Sequence, residues 1–259
     1  MALFTDGPVS NIDEMTARDS QLLTVASVEG IDVTQKIGLA QDELALELST
    51  LLTGLSYGNQ AFWMAPQANV GSVVVTPALK LWHTLRTLEL VYSDAYNSQL
   101  NDRYAGKRDQ FREMAKGAYD QLVQSGIGMA SCPVPRADVP EVTTTVVLPP
   151  ALPLPDGTYY ATMSWTNRQG EEGVCAIPTA ITTTMCTIAV TPGTAPTNAT
   201  GWNVYMGTTP DSLSIQNDAP IATGEQWLQP STLAAGGRAP GSGQSPSYVR
   251  PVPRVIQRG

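Results

Sequence analysis

Residues 159–166 read Tyr159-Tyr160-Ala161-Thr162-Met163-Ser164-Trp165-Thr166. Tyr159, Ala161, Met163 and Trp165 occupy every second position, and successive side chains of a strand point to opposite faces. The spacing therefore predicts a half-buried β-strand. Working outward, similar runs cover residues 143–148, 181–191 and 202–206, with shorter ones at 173–177, 213–216, 220–222 and 226–228. Pro155-Asp156-Gly157, Gln169-Gly170, Pro192-Gly193 and Gly207-Thr208-Thr209-Pro210 separate them. Short alternating runs between such turns, without a helical period, predict a β-sandwich over residues 141–235.

Upstream of Ser131 the pattern changes to a helical one. Ser10 followed by Asp13 opens a segment carrying Ile12, Met15, Leu22, Leu23 and Ala26, and Gly30 stands where a left-handed residue would end it. Asp32 caps a second helix, in which Ile37, Ala40, Leu44, Leu48, Leu51 and Leu55 step by three or four. Thr76-Pro77 starts a third, because Thr accepts from an orphan amide and Pro lacks the amide that would be orphaned. Its stripe runs through Leu81, Leu85, Leu88, Tyr92 and Ala95. A fourth follows Asp102, with Phe111, Met114, Ala115, Ala118, Tyr119 and Leu122 on one face and Gly126 at its end. The expected architecture is α+β and multidomain. A four-helix bundle fills residues 1–130, a linker 131–140, the sandwich 141–235 and an extended basic arm 236–259.

The loop at residues 54–75 holds Tyr57, Phe62, Trp63 and Met64 without a sustained period. Two readings stand: a loop folded over its own bundle, or an arm whose Phe62 and Trp63 reach a neighbouring subunit. The arm at 236–259 is rich in Gly and Pro, which excludes helix and central strand. Its Tyr248, Val249, Val252, Val255 and Ile256 are apolar residues that a free linker does not need. It reads as an extended segment that orders on a partner, or as a disordered terminus.

The formal charge of −8 argues against a dedicated nucleic-acid binder, which needs surplus cations on its contact face. The sign is uneven. Residues 1–130 carry 9 basic and 15 acidic side chains, residues 131–235 carry 2 and 8, and residues 236–259 carry 4 and none. A basic tail on an acidic body suits an acidic partner. Arg103, Lys107, Arg108 and Arg112 form the densest cationic cluster, either a solvated junction between helices or one basic face meeting an acidic face of the next copy.

Cys132, Cys175 and Cys186 show no metal-binding or redox spacing, so reduced structural thiols are expected and no metal or cofactor. The chain start has no basic and apolar leader pattern, and no apolar run approaches the roughly 18 residues of a membrane span, so a soluble protein without a membrane partner is expected. His83 is the only histidine and has no nucleophile motif near it, which favours a packed imidazole over a general base. Glu171-Glu172 falls in an expected turn, where neighbouring side chains diverge and are solvated. No phosphate-loop, dinucleotide, zinc-protease or nucleophile-elbow motif occurs. The expectation is a protein without enzymatic activity.

Several stretches resemble tailed-phage head–tail connector (adaptor) proteins. From Asp13 to Leu52, the residues Leu22, Glu29-Gly30-Ile31-Asp32, Lys36 and Ala40-Gln41-Asp42-Glu43 look like their opening helices. Thr76-Pro77, Lys80-Leu81-Trp82-His83-Thr84, Tyr92-Ser93-Asp94-Ala95-Tyr96 and Leu100-Asn101-Asp102-Arg103-Tyr104 resemble the third and fourth. Trp202-Asn203-Val204-Tyr205-Met206-Gly207 is similar to a late strand of immunoglobulin- or fibronectin-like modules. The first resemblance implies a virion protein, assembled in the host cytoplasm into a homo-oligomeric, dodecameric ring beneath the portal protein and above a tail, stopper or terminator protein. DNA passes through its lumen without specific binding. Portal docking falls to the C-terminal extension, here Arg238, Tyr248, Arg250, Arg254, Ile256 and Arg258, and subunit contacts to Arg103, Lys107, Arg108, Arg112, Phe62 and Trp63. Simple members are little more than the bundle, so the sandwich is a departure. The alternative is a receptor- or carbohydrate-binding sandwich with Trp165, Trp202 and Trp227 as stacking residues, although alternation also suits them to a core.

Overall fold

The computed structural model describes residues 1–58, 69–99, 102–145, 153–230, 232–234, 236–241 and 243–250. It is a mixed α and β protein with five α-helices and three antiparallel sheets among those residues. Two compact units form, and the chain passes between them three times. The helical unit comprises Gly7–Ser131 and Pro246–Gly259, and the β unit Met1–Asp6 and Cys132–Ser245.

In the helical unit the first expected helix is two: α1 (Ile12–Thr16) and α2 (Leu22–Glu29). Asn11, not Ser10, caps α1, in a reciprocal capping box with Glu14. The break comes at Asp19, whose buried carboxylate accepts from the Gln21 amide at 3.2 Å and from the Tyr92 hydroxyl. An aspartate held by those partners favours a turn over helix continuation. Gly30 ends α2 in the left-handed region (φ 68°), and the Ile31 amide reaches back to the Ala26 carbonyl at 2.8 Å.

Asp32 accepts from the Thr34 and Gln35 amides at the start of α3 (Val33–Gly58). Thr76 accepts from the Leu79 amide at the start of α4 (Pro77–Gln99). A single 3-10 turn (Asp102–Tyr104) precedes α5 (Ala105–Ser125). Helices α1, α2, α3 and α5 all touch α4. That central position explains why α4 buries polar His83, Thr84, Thr87 and Glu89 beside Leu85, Leu88, Val91 and Tyr92.

A short strand, β1 (Ile127–Met129), follows Gly126. On one side it meets residues 72–74, where the Val74 amide donates to the Gly128 carbonyl and the Ala130 amide to the Ser72 carbonyl. The other side pairs antiparallel with a strand near the end of the described chain, Ser247–Val249, in the register Ile127 to Val249 and Met129 to Ser247.

The β unit holds β2 (Glu141–Thr145), β3 (Gly157–Asn167), β4 (Thr179–Thr183), β5 (Thr187–Thr191), β6 (Ala199–Gly207), β7 (Ser214–Ile215) and β8 (Trp227–Leu228), which makes Ser247–Val249 β9. One sheet has the order β2-β5-β8 and the other β4-β3-β6-β7. Tyr159, Ala161, Met163 and Trp165 of β3 and Trp202, Val204 and Met206 of β6 share one core with Ile188 and Val190 of β5 and Trp227 of β8.

Three expectations change here. The run at 181–191 is two strands in different sheets, because the chain turns at Met185 (φ 50°), whose amide donates to Asp156 at 2.9 Å. Residues 131–140 are no free linker, since Val134 and Ala137 lie in the core. Finally, β3 is buried on both faces rather than one, Thr162, Ser164 and Thr166 being as enclosed as the apolar set.

Candidate functional site

The cations singled out in the sequence lie on or beside α5, and each faces a partner within the helical unit. Lys107 Nζ is 3.3 Å from Asp19 and 5.4 Å from the Phe111 ring centre. The Arg108 guanidinium lies 2.8 Å from Asp109 and 4.3 Å above the Tyr96 ring, and Arg103 lies 5.5 Å above the Tyr104 ring. Arg112 reaches Glu89 on α4 at 3.1 Å and Asp109 at 3.6 Å. Glu89 is buried and also meets Arg86 at 2.6 Å, which in turn meets Glu43 of α3 at 2.7 Å.

One chain of charge, Glu43–Arg86–Glu89–Arg112–Asp109, therefore links α3, α4 and α5. Burial by itself would lower the Arg86 pKa, but hydrogen bonds to Glu43 and Glu89 outweigh it and raise it. The junction thus carries pairings between elements, Arg86 to Glu43, Arg112 to Glu89 and Lys107 to Asp19, beside others within one helix.

Beside that network, Leu44, Trp82, Ala115 and Tyr119 floor a groove of about 800 Å³ between α3 and α5. Leu46, Glu47 and Thr50 form one rim, and Lys116 stands on the other. No spacing in the sequence marked it, because a groove exists only once three helices are placed.

His83 is fully buried, its Nδ1 paired with the Ser10 hydroxyl and its Nε2 3.2 Å from the Ile37 carbonyl. Burial lowers its pKa to about 4. The imidazole is thus a neutral packing element joining the chain before α1 to α3 and α4. Among the described residues no cluster of His, Cys, Asp or Glu could hold a metal ion.

The acid-free C-terminal stretch divides. Arg238 donates to Glu172 at 2.6 Å within the β unit. Gln244 pins two segments there: its side chain accepts from the Val134 amide and donates to the Cys132 carbonyl, both at 2.8 Å, and its amide donates to the Met1 carbonyl at 2.9 Å. Beyond it, β9 covers Gly126 and Gly128 of the helical unit, leaving Tyr248, Val249 and Arg250 exposed. Arg238, Gln244 and the strand Ser247–Val249 are therefore seated on their own chain. Arg254, Ile256, Arg258, Phe62 and Trp63 lie outside the described residues.

Glu172 overturns the solvated-turn expectation. It is buried beneath β6, accepting from Asn203 and, at 2.8 Å, from the Tyr205 hydroxyl, with Arg238 as its counter-ion. Burial first, then Glu172, raises the Tyr205 pKa. The available signal was on β6: Asn203 and Tyr205 alternate with the core residues Trp202, Val204 and Met206, a polar pair on a second face. Trp165, Trp202 and Trp227 are buried in the core, which removes them as exposed stacking residues.

Comparison with known proteins brings no match, either to a family model or to a curated protein. No helix among the described residues is long and apolar enough to cross a membrane.

Proposed function

We propose that this chain is a structural, non-enzymatic subunit of a tailed-phage virion, a head–tail connector that forms a ring beneath the portal. In this reading the helical unit is a bundle that builds the ring. The β unit is an immunoglobulin- or fibronectin-like sandwich appended to it, and the chain end docks on the portal. The observation that carries it is the end of the chain: β9 leads from the edge of the helical unit into an exposed Arg250 and on to a segment with Arg254 and Arg258 and no acid. A basic, acid-free segment that follows a strand in the sequence suits docking by charge-assisted contacts to carboxylates and by strand addition.

The acidic body supports the same reading. A strongly cationic ring lining a DNA channel would hold the DNA by counterion release, whereas a chain of net charge −8 would let it pass. Because Arg238 is paired with Glu172, portal contact falls on Arg250, Arg254 and Arg258 with Tyr248 and Ile256 beside them.

The test is co-sedimentation with isolated portal rings of the phage that encodes the chain. The full chain is expected to bind, and deletion of residues 251–259 to abolish binding while leaving the melting curve unchanged. No binding by the full chain overturns the connector reading, and undiminished binding by the deletion overturns the docking role of the arm.

A further inference from the structure

Helix α2 is apolar on both sides. Leu22, Val25 and Ala26 face the core of the helical unit, whereas Leu23 and Val28 are 51% and 66% exposed. Thr24 and Ser27 lie between them, so this outer face bears no charge until Glu29, which is held by Ser98 and Tyr104. A surface helix ordinarily turns a polar face to water. An uncharged face with two protruding aliphatic side chains is suited to burial against another surface.

The groove between α3 and α5 has the complementary character. Its floor is apolar, and Leu46 on its rim is 72% exposed. The lining holds three acids, Glu43, Glu47 and Glu89, and three bases, Arg86, Arg112 and Lys116, so its formal charge cancels. Glu43, Arg86, Glu89 and Arg112 already neutralise one another by direct contact. A charged ligand would have to break those pairs, whereas an uncharged apolar insert leaves them intact and buries Leu46 and the floor.

We infer that the groove between α3 and α5 receives the outer face of α2, with Leu23 and Val28, from a second copy of this chain. The two surfaces lie on different elements of one unit, so a copy that gives its α2 face still has its groove open. Pairing of that kind is head-to-tail, and it closes into a ring when the rotation per copy divides a full turn. The inference rests on the proposed ring and names the surfaces that would build it.

The test uses two variants of the full chain, Leu23→Lys with Val28→Lys on the α2 face, and Leu46→Lys on the groove. Lysine is a good helix former, and all three positions are exposed. Masses are read by sedimentation alone and after mixing, with circular dichroism melts as the check on folding. Should a lysine variant melt early, glutamine at the same positions replaces it.

Assembly of the native chain, monomers for each variant alone, and a species of two chains in the mixture are expected, because the mixture restores one intact α2–groove contact and no second. An assembling native chain whose variants assemble equally well overturns the inference and leaves the ring standing. Monomeric variants that stay monomeric when mixed also overturn it. A native chain that is monomeric at every concentration and on portal rings overturns the ring and the inference together.

Discussion

The Arg238 guanidinium lies 2.6 Å from the buried carboxylate of Glu172, joining the C-terminal stretch to a residue 66 positions earlier. Tyr205 and Asn203 bond the same carboxylate, so Glu172 has two neutral donors and one cation. Replacing Arg238 with Ala removes the one counter-ion that this buried carboxylate has among the described residues. A loss of about 1–3 kcal/mol is expected, toward the lower end because the arginine side chain is itself 58% exposed. Urea unfolding followed by tryptophan fluorescence measures it, and an unchanged midpoint would show that Glu172 is satisfied by Asn203 and Tyr205 alone.

His83 gives the helical unit a defined response to acid. Its folded pKa is lowered to about 4, against 6.5 when unfolded, so between those values the unfolded chain binds a proton that the folded chain refuses. Stability from this group is complete above pH 6.5 and is lost as pH falls toward 4, by about 3 kcal/mol. The difference in unfolding free energy between pH 7 and pH 4.5 should be larger in the native protein than in His83→Gln by most of that amount. Equal differences would mean that acid sensitivity resides in the carboxylates.

Asp19 is the hub where the first expected helix breaks, and Tyr92 and Lys107 converge on it from α4 and α5. Tyr92→Phe removes one donor from a carboxylate that keeps Lys107 and the Gln21 amide, at a cost of about 1–2 kcal/mol. Asp19→Ala should cost more, because it leaves both the buried Tyr92 hydroxyl and the Gln21 amide without this acceptor. A double-mutant cycle that showed no coupling between positions 19 and 92 would contradict the contact.

Gly128 pairs with Tyr248 across the two strands, and a Cβ there would approach Thr76 at 2.6 Å and Pro246 at 2.9 Å. Gly128→Val should therefore expel β9 while leaving the five helices in place. Limited proteolysis is expected to release the C-terminal peptide from the variant well before it does so from the native chain. Identical cleavage kinetics would count against close packing at this position.

Helix and strand periods carry much of the secondary structure within the sequence itself. The caps at Asp32 and Thr76, the stop at Gly30 and the alternation of β3 are local: a side chain accepts from an amide two or three residues on, a glycine adopts a left-handed φ, and successive strand side chains point to opposite faces. Where a distant partner decides the outcome, the local signal misled. Asp19 breaks a helix because Tyr92 and Lys107 hold it. The run at 181–191 splits because Asp156 catches the Met185 amide, and Thr-Met-Cys is no recognised turn sequence.

The candidate surfaces divide in the same way. The cluster from Arg103 to Arg112 was visible as composition, yet whether those cations are available could be learned only from Glu89, Asp19 and the aromatic rings that fold beneath them. Glu172 stood in a stretch that read as a turn and proved to be a buried anion, because Tyr205, Asn203 and Arg238 come from strands and segments remote in the chain. Periodicity and capping are set by neighbours along the backbone, and so the chain itself carried the change from helical to β character near Ser131. Charge pairing, the groove floored by Trp82 and the seating of β9 on β1 depend on residues dozens to hundreds of positions apart, and only the folded chain brings those together.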